Sequence, residues 1–373
     1  MRWRRASRTA FVLSMAVRIA KPRRVKFGIS SSPMFEPFWG NPQVASALEQ
    51  MIVRGRLAQT LLFAGPEGVG KATLARRLAA HLLGHAEQIE RDDLSLPDNL
   101  ATVAERERWP ADKRNQDPLL FASHPDFVSF PPDGPLRQIS IDQTRLLRDW
   151  AKLAPNSGSR RVFLIDHVDR AGEHAANALL KTLEEPSAHL ILVMTAENAY
   201  DLLPTIRSRA VPFYFTPLSI EDTREFVRAR GLDDAERRAA LSAGSPGLAV
   251  SIDLEAYDKR RAAMFTLLKV AAGLTPFGAW VPYSEAIGRS KSEKLELHLK
   301  VLYDLLHDVL VLRESGGTVR NQDLRAELEN VARKVSFEWI RSAVKRVDEL
   351  ARLIRRNIQK SIALDALILD LRG

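Results

Sequence analysis

The stretch "TLLFAGPEGVGKATLARRLAA" (60–80) constrains this chain more than any other. A short apolar run leads into a turn carrying Gly65, Gly68 and Gly70, then Lys71, then Leu74, Leu78 and Leu82 at four-residue intervals. The apolar run reads as a buried strand and the leucine spacing as a helix, so the glycines occupy a strand-to-helix turn. The pattern G-x-x-x-x-G-K is that of a phosphate-binding loop. Its glycines let backbone N–H groups face phosphate oxygens, the lysine adds a charge, and the helix start adds its positive end. The next residue should be Ser or Thr, whose hydroxyl holds Mg²⁺, but here it is Ala72. Thr73 does not replace it, because one residue further along a helix points about 100° away. Gly65, Gly70 and Lys71 are therefore read as a degenerate nucleotide site. It is compatible with weak ATP or ADP binding, and no cofactor is required.

Further apolar runs read as buried strands: "DFVSF" (126–130), "RVFLID" (161–166), "LILVMT" (190–195) and "VPFYF" (211–215). Helical patterns separate most of them. "SIDQTRLLRDWAKLA" (140–154) opens on Ser140 and Gln143 as a capping box, with Ile141, Leu146, Leu147, Trp150 and Leu153 on its apolar side. The alternation predicts an α/β fold with a parallel sheet covered on both faces. The polar segment 84–125 reads as an irregular insertion. After Pro217 come short helical segments with glycine-rich joints, and from about Glu255 long helices dominate, with "GAWVP" (278–282) and "ESGGTVRNQD" (314–323) as loops. In that region Leu295, Leu299, Leu302 and Leu306 share a helical face.

The 55 Lys and Arg residues exceed the 46 Asp and Glu by nine. Residues 1–33 hold nine of the basic residues and no acidic one, so the rest of the chain is formally neutral. A whole-protein basic field for gripping DNA is not supported. The basic segment reads as a disordered leader, with a signal or transit peptide as the alternatives, and Met15 or Met34 as other starts. The chain has no cysteine, which excludes disulfides and thiolate metal sites and fits a reducing cytoplasm. No apolar run is long enough to span a bilayer, and no membrane association is expected.

"FLIDHVD" (163–169) supplies the acidic strand end of a phosphate-loop site, with Asp166 where a carboxylate holds the metal. The next position, usually a water-activating Glu in an active ATPase, is His167, which reads as a lost catalytic role. His81 and His85 are spaced i, i+4, and His124 follows the insertion, but these imidazoles read as structural; no metal is expected.

The segments "SHPDF" (123–127), "QISIDQTRLLRDW" (138–150), "AANALLKTLEEP" (175–186), "LLPTIRSRA" (202–210) and "RRNIQKSIALDALILDL" (355–371) resemble bacterial clamp-loader proteins of the AAA+ class, in the family's order. The resemblance covers roughly residues 35–373. It implies an AAA+ P-loop parallel-sheet domain (34–217), a small helical lid (218–253) and an all-α collar (254–373), after the leader (1–33). The implied partners are the gamma/tau and delta subunits of a hetero-oligomeric ring, with the sliding clamp and primer-template DNA reached through the complex. The motor subunits carry an intact loop, an Asp-Glu pair and a sensor arginine in the lid. Here those positions hold Ala72, His167 and Gly247, so the chain looks like the family's stationary, non-hydrolysing member, a subunit of DNA-directed DNA polymerase holoenzyme without catalysis of its own. Relatives often carry a four-cysteine zinc module, which this chain cannot form.

The resemblance also places an arginine finger at Arg209, in Ser208-Arg209-Ala210 where the family has Ser-Arg-Cys. A guanidinium suits the role because it stays charged and can contact two phosphate oxygens. Arg207 reads as a surface or packing residue. Thr195, at a strand end, approximates the family's sensor position. Glu184 and Glu185 end a helix before Pro186 and need no catalytic role. Two other readings stay open: a gamma/tau-like ATPase using a degenerate site, and an AAA+ protein-remodelling scaffold outside replication.

Overall fold

The computed structural model describes residues 33–290, 294–314, 317–353 and 359–372. The basic leader lies outside the described residues, apart from Pro33. The described residues through Ser251 form one compact unit and those from Ile252 onward a second.

The first unit is built on six strands: β1 (Thr60–Ala64), β2 (Phe121–His124), β3 (Phe127–Phe130), β4 (Arg161–Ile165), β5 (Leu190–Ala196) and β6 (Val211–Tyr214), in the order β2-β3-β4-β5-β1-β6. From β3 to β6 the neighbours are parallel, as the sequence predicts. β1, β4 and β5 are buried at every residue, which explains why they read as unbroken apolar runs rather than alternating ones. Successive side chains still go to opposite faces. Leu61, Phe63, Val162, Leu164, Ile191 and Val193 join one core with Leu48 of helix Pro42–Val53 and Leu74 and Leu78 of helix Lys71–Leu83. Leu62, Ala64, Phe163, Ile165, Leu192 and Met194 join the other, with Leu147 of helix Ile141–Trp150 and Leu179 of helix Glu173–Glu184.

Two sequence expectations are corrected here. The segment 84–125 is no irregular insertion: it carries helices Ala86–Glu90, Pro97–Arg106 and Ala111–Gln116 and ends in β2. β2 runs antiparallel to β3, so the sheet is mixed at one edge. Its "FASH" has no apolar run because it is an edge strand with two exposed residues. Buried arginines hold the segment down. Arg76 bridges Glu90 and Asp93, and Arg106 donates to both carboxylate oxygens of Asp133 at 3.0 and 2.7 Å.

The predicted capping box forms. Gln143 N–H donates to Ser140 Oγ at 3.1 Å, and Ser140 N–H to Gln143 Oε1 at 2.8 Å. Leu153 departs from the expected apolar face: the helix ends at Trp150, and Leu153 is exposed beyond it.

The described residues of the second unit form helices Leu254–Ala271, Val281–Arg289, Leu295–Glu314, Arg325–Lys334, Phe337–Leu353 and Lys360–Arg372, with no strand among them. Leu295, Leu299, Leu302 and Leu306 are all buried within the described structure, so that face is core. "GAWVP" is not a plain loop. It forms a 3₁₀ turn and the start of a helix, anchored by the fully buried Trp280, whose indole N–H donates to Asp365 at 2.6 Å. Asp308, also buried, accepts from the N–H groups of Arg320 and Asn321 and pins the following loop against helix Leu295–Glu314.

Candidate functional site

Parallel pairing brings the sequence-predicted residues to the carboxyl ends of neighbouring strands. Ala64 pairs with Ala196, and Gly65 N–H continues the ladder to Ala196 O at 3.1 Å. Ile165 pairs with Met194, which puts Asp166 beside Thr195. The Thr195 hydroxyl donates to Asp166 Oδ1 at 2.5 Å and accepts from His167 N–H at 2.8 Å. Thr195 therefore links the acid-ended strand to the strand beside the loop, and both it and Asp166 are buried.

The loop follows β1, with Gly68 and Gly70 at φ values of 73° and 96° that glycine tolerates. Lys71 opens the helix but folds back. Its ammonium donates to Gly65 O and Pro66 O, each at 2.6 Å. Burial lowers its pKa, and the Asp166, Glu197 and Asp169 charges oppose that shift.

The three short helices after Pro217 belong to the same compact unit, and the last of them meets the loop. Ser245 Oγ donates to Glu67 O at 2.9 Å, and Gly247 N–H donates to Gly68 O at 2.8 Å. The backbones touch here: a Cβ on Gly247 would lie 3.0 Å from Gly68 Cα and O, and one on Gly68 would lie 2.3 Å from Ser245 Oγ. Gly247 is the position at which the resemblance places a sensor arginine, and a side chain there would require the Gly68 backbone to give by a few tenths of an ångström.

A Mg²⁺-nucleotide does not fit these residues as they are placed. Ala72 offers no metal ligand, Lys71 is committed to loop carbonyls, and the loop tip is covered by lid backbone. A nucleotide that engages Lys71 would have to release it from these carbonyls.

His167 lies in the left-handed region at φ 54°. One of its ring nitrogens and carboxylate oxygens of Asp169 and Glu197 fall within 4.8 Å of one another. Arg170 Nη2, however, donates to Glu197 Oε1 at 3.1 Å, the oxygen that lies 3.9 Å from His167 Nδ1. A guanidinium thus already balances the exposed end of this cluster, and we assign no ion to it. Of the other histidines, His85 and His124 do meet, with rings 5.7 Å apart, and His124 Nδ1 accepts from Asp126 N–H.

Arg209 lies away from this site. It follows the one-turn helix Pro204–Arg207, and its side chain is 33% exposed. Nη1 donates to Thr205 O at 2.9 Å and Nη2 to Glu184 Oε1 at 2.7 Å. Arg207 instead lies over the Tyr200 ring, 4.8 Å from its centroid. Two features escaped the sequence reading: the Glu184–Arg209 pair and the seating of the lid on the loop. The first had no signal beyond two motifs whose residues Glu184 and Arg209 lie 25 positions apart. The second was foreshadowed only by the absence of a side chain at Gly247.

A sheet parallel but for one edge strand, with a glycine loop after β1, an acid-ended β4 and three short helices following, is the AAA+ fold. Two family models match: DNA polymerase III, delta subunit, over residues 40–219, and DNA polymerase III, delta subunit, C terminal, over residues 280–373. The chain belongs to the DNA polymerase III clamp-loader subunit family. It is 31% identical over 197 residues to DNA polymerase III subunit delta' of Pseudomonas aeruginosa, a match covering 52% of this chain and 55% of that one. It is also 31% identical over 185 residues to subunit tau of Salmonella typhimurium, covering 50% of this chain and 26% of the relative. The matches thus span about half or less of these relatives' lengths. Among solved structures, a gamma subunit-related protein of Thermotoga maritima aligns over 87% of this chain and 98% of its own, at 18% identity and a TM-score of 0.40.

Proposed function

We propose that the chain is a delta'-type subunit of the cytoplasmic clamp loader, which turns over no ATP of its own and supplies Arg209 to a neighbouring ATPase subunit. Its partners in this reading are the gamma/tau and delta subunits, and through them the sliding clamp and primed DNA. The observation that carries it is a contrast within one unit. The chain's own loop is met by lid backbone at Gly247, while Arg209 is tethered with its side chain part-exposed. Nucleotide binding, where it occurs, is weak and non-productive, because Lys71 is held by loop carbonyls and Ala72 offers no metal ligand.

In this reading the C-terminal helical block, whose residues 280–373 match the C-terminal family model, forms the collar of the ring. The compact unit ending at Ser251 contains its own cores, so a chain stopped at Asp253 is expected to stay folded. It should fail to co-elute with gamma/tau and delta, whereas the full chain should join them. The check is size-exclusion chromatography beside a pulldown from native extract read by mass spectrometry. Full-strength assembly by the shortened chain would contradict the collar assignment. Capture of chaperone or protease partners without replication subunits would favour the remodelling-scaffold reading.

A further inference from the structure

Glu184 ends helix Glu173–Glu184, and Arg209 follows the one-turn helix Pro204–Arg207. The fold brings the two together on one surface. Both terminal nitrogens of the guanidinium are held, Nη2 by Glu184 Oε1 at 2.7 Å and Nη1 by Thr205 O at 2.9 Å, with Ser208 Oγ at 3.4 Å from Nη1. Two anchors on different elements fix the plane of the group as well as its position. Part of the side chain still faces outward. Of the two carboxylates that end the helix, Glu184 is the one that reaches Arg209.

An exposed ion pair of this kind contributes little to folding. Its consequence for a group that acts across a subunit boundary is different. A free arginine must give up rotamer freedom when the neighbour's phosphates arrive, whereas a tethered one has done so already. We infer that Glu184 is a positioning residue for Arg209, holding the guanidinium in the orientation that meets the charge developing in the neighbouring site. The inference rests on the finger reading of Arg209 given above. It assigns Glu184 no contact with nucleotide.

The test is a set of reconstituted complexes carrying wild-type chain, Glu184→Gln, Glu184→Asp, Arg209→Ala, or Glu184→Gln with Arg209→Ala. Steady-state kcat and KM for ATP are measured with clamp and primed DNA. In the share of turnover that Arg209→Ala removes, Glu184→Gln is expected to lower kcat by about 10- to 100-fold, the scale on which a small misplacement acts. KM and assembly should not change, Glu184→Asp should recover part of the loss, and the double variant should be no worse than Arg209→Ala. If Arg209→Ala is defective but Glu184→Gln is not, or is faster, Glu184 does not position the finger. A double variant clearly worse than Arg209→Ala would mean that Glu184 acts by another route. An unaffected Arg209→Ala would overturn the finger reading itself, and this inference with it.

Discussion

Arg209→Ala is expected to leave the subunit folded and assembled while removing on the order of 10³–10⁵ from the rate of the ATP site it faces. In the transition state for phosphoryl transfer, negative charge spreads over the phosphate oxygens, and a guanidinium held beside them stabilises it. The same group contributes little at home. Its pair with Glu184 is open to solvent, with the carboxylate exposed and the guanidinium half-buried, and such pairs are worth about 0–1 kcal/mol. The substitution therefore separates catalysis from stability. A ring has several sites and only one faces this subunit in the proposed reading, so total turnover should fall in part, not to zero. Arg207→Ala is the control. It loses a stacking contact on the exposed Tyr200 ring, worth about 0.5–1 kcal/mol at such sites, and should leave turnover near wild type. The check is clamp- and DNA-stimulated hydrolysis by each reconstituted complex. A larger defect in the Arg207 variant would place the finger wrongly.

The largest stability effect is expected at Asp126. This carboxylate is fully buried and accepts from Asn156 N–H and Ser157 N–H, each at 2.8 Å. Arg161, itself buried, lies 3.5 Å away. Burial pushes the Asp126 carboxyl up, but the Asn156 and Ser157 hydrogen bonds and the Arg161 charge outweigh it and hold the pKa below the usual carboxylate value. Asp126→Ala leaves Arg161 without its counter-charge and two loop N–H groups without their acceptor. Removing one partner of a buried pair costs about 3–5 kcal/mol. The sign with pH follows from the depressed pKa. The contribution is complete above the unfolded carboxyl's value, near ~3.9, and is lost as pH falls through the folded value. The gap between wild type and Asp126→Asn in urea unfolding should be widest near neutral pH and narrow toward strong acid. A gap that is small at neutral pH, or widens in acid, would contradict this account.

Much of the first unit was legible because its strands are buried on both faces. Such strands appear as unbroken apolar runs, and β1, β3, β4 and β5 stood out in that way; β6 also reads as a buried run, but it is the other edge strand and is exposed at all but Phe213. β2 did not, since an edge strand with exposed residues carries no run. The helices of the 84–125 segment were hidden for a related reason. Charged contacts such as Arg76 to Glu90 and Arg106 to Asp133 hold them, and no apolar period marks these. Trp280 shows the converse case: a short aromatic-bearing stretch read as a loop is an anchor, because Asp365 satisfies its indole some 85 residues later. At the site, Asp166 and Thr195 could be named separately from the strand ends. Their hydrogen bond depends on the register of β4 against β5, which no local pattern encodes. The seating of Gly247 on Gly68 is likewise a long-range backbone contact.

The central claim is that this subunit serves a neighbour's chemistry and performs none itself. Mg²⁺-dependent ATP hydrolysis by the purified chain, measured alone and then after addition of gamma/tau, delta, clamp and primed DNA, tests it most directly. The account predicts no turnover above background alone, with or without Lys71→Ala, and turnover in the complete mixture that falls with Arg209→Ala. Robust hydrolysis by the chain alone that disappears in Lys71→Ala would contradict it.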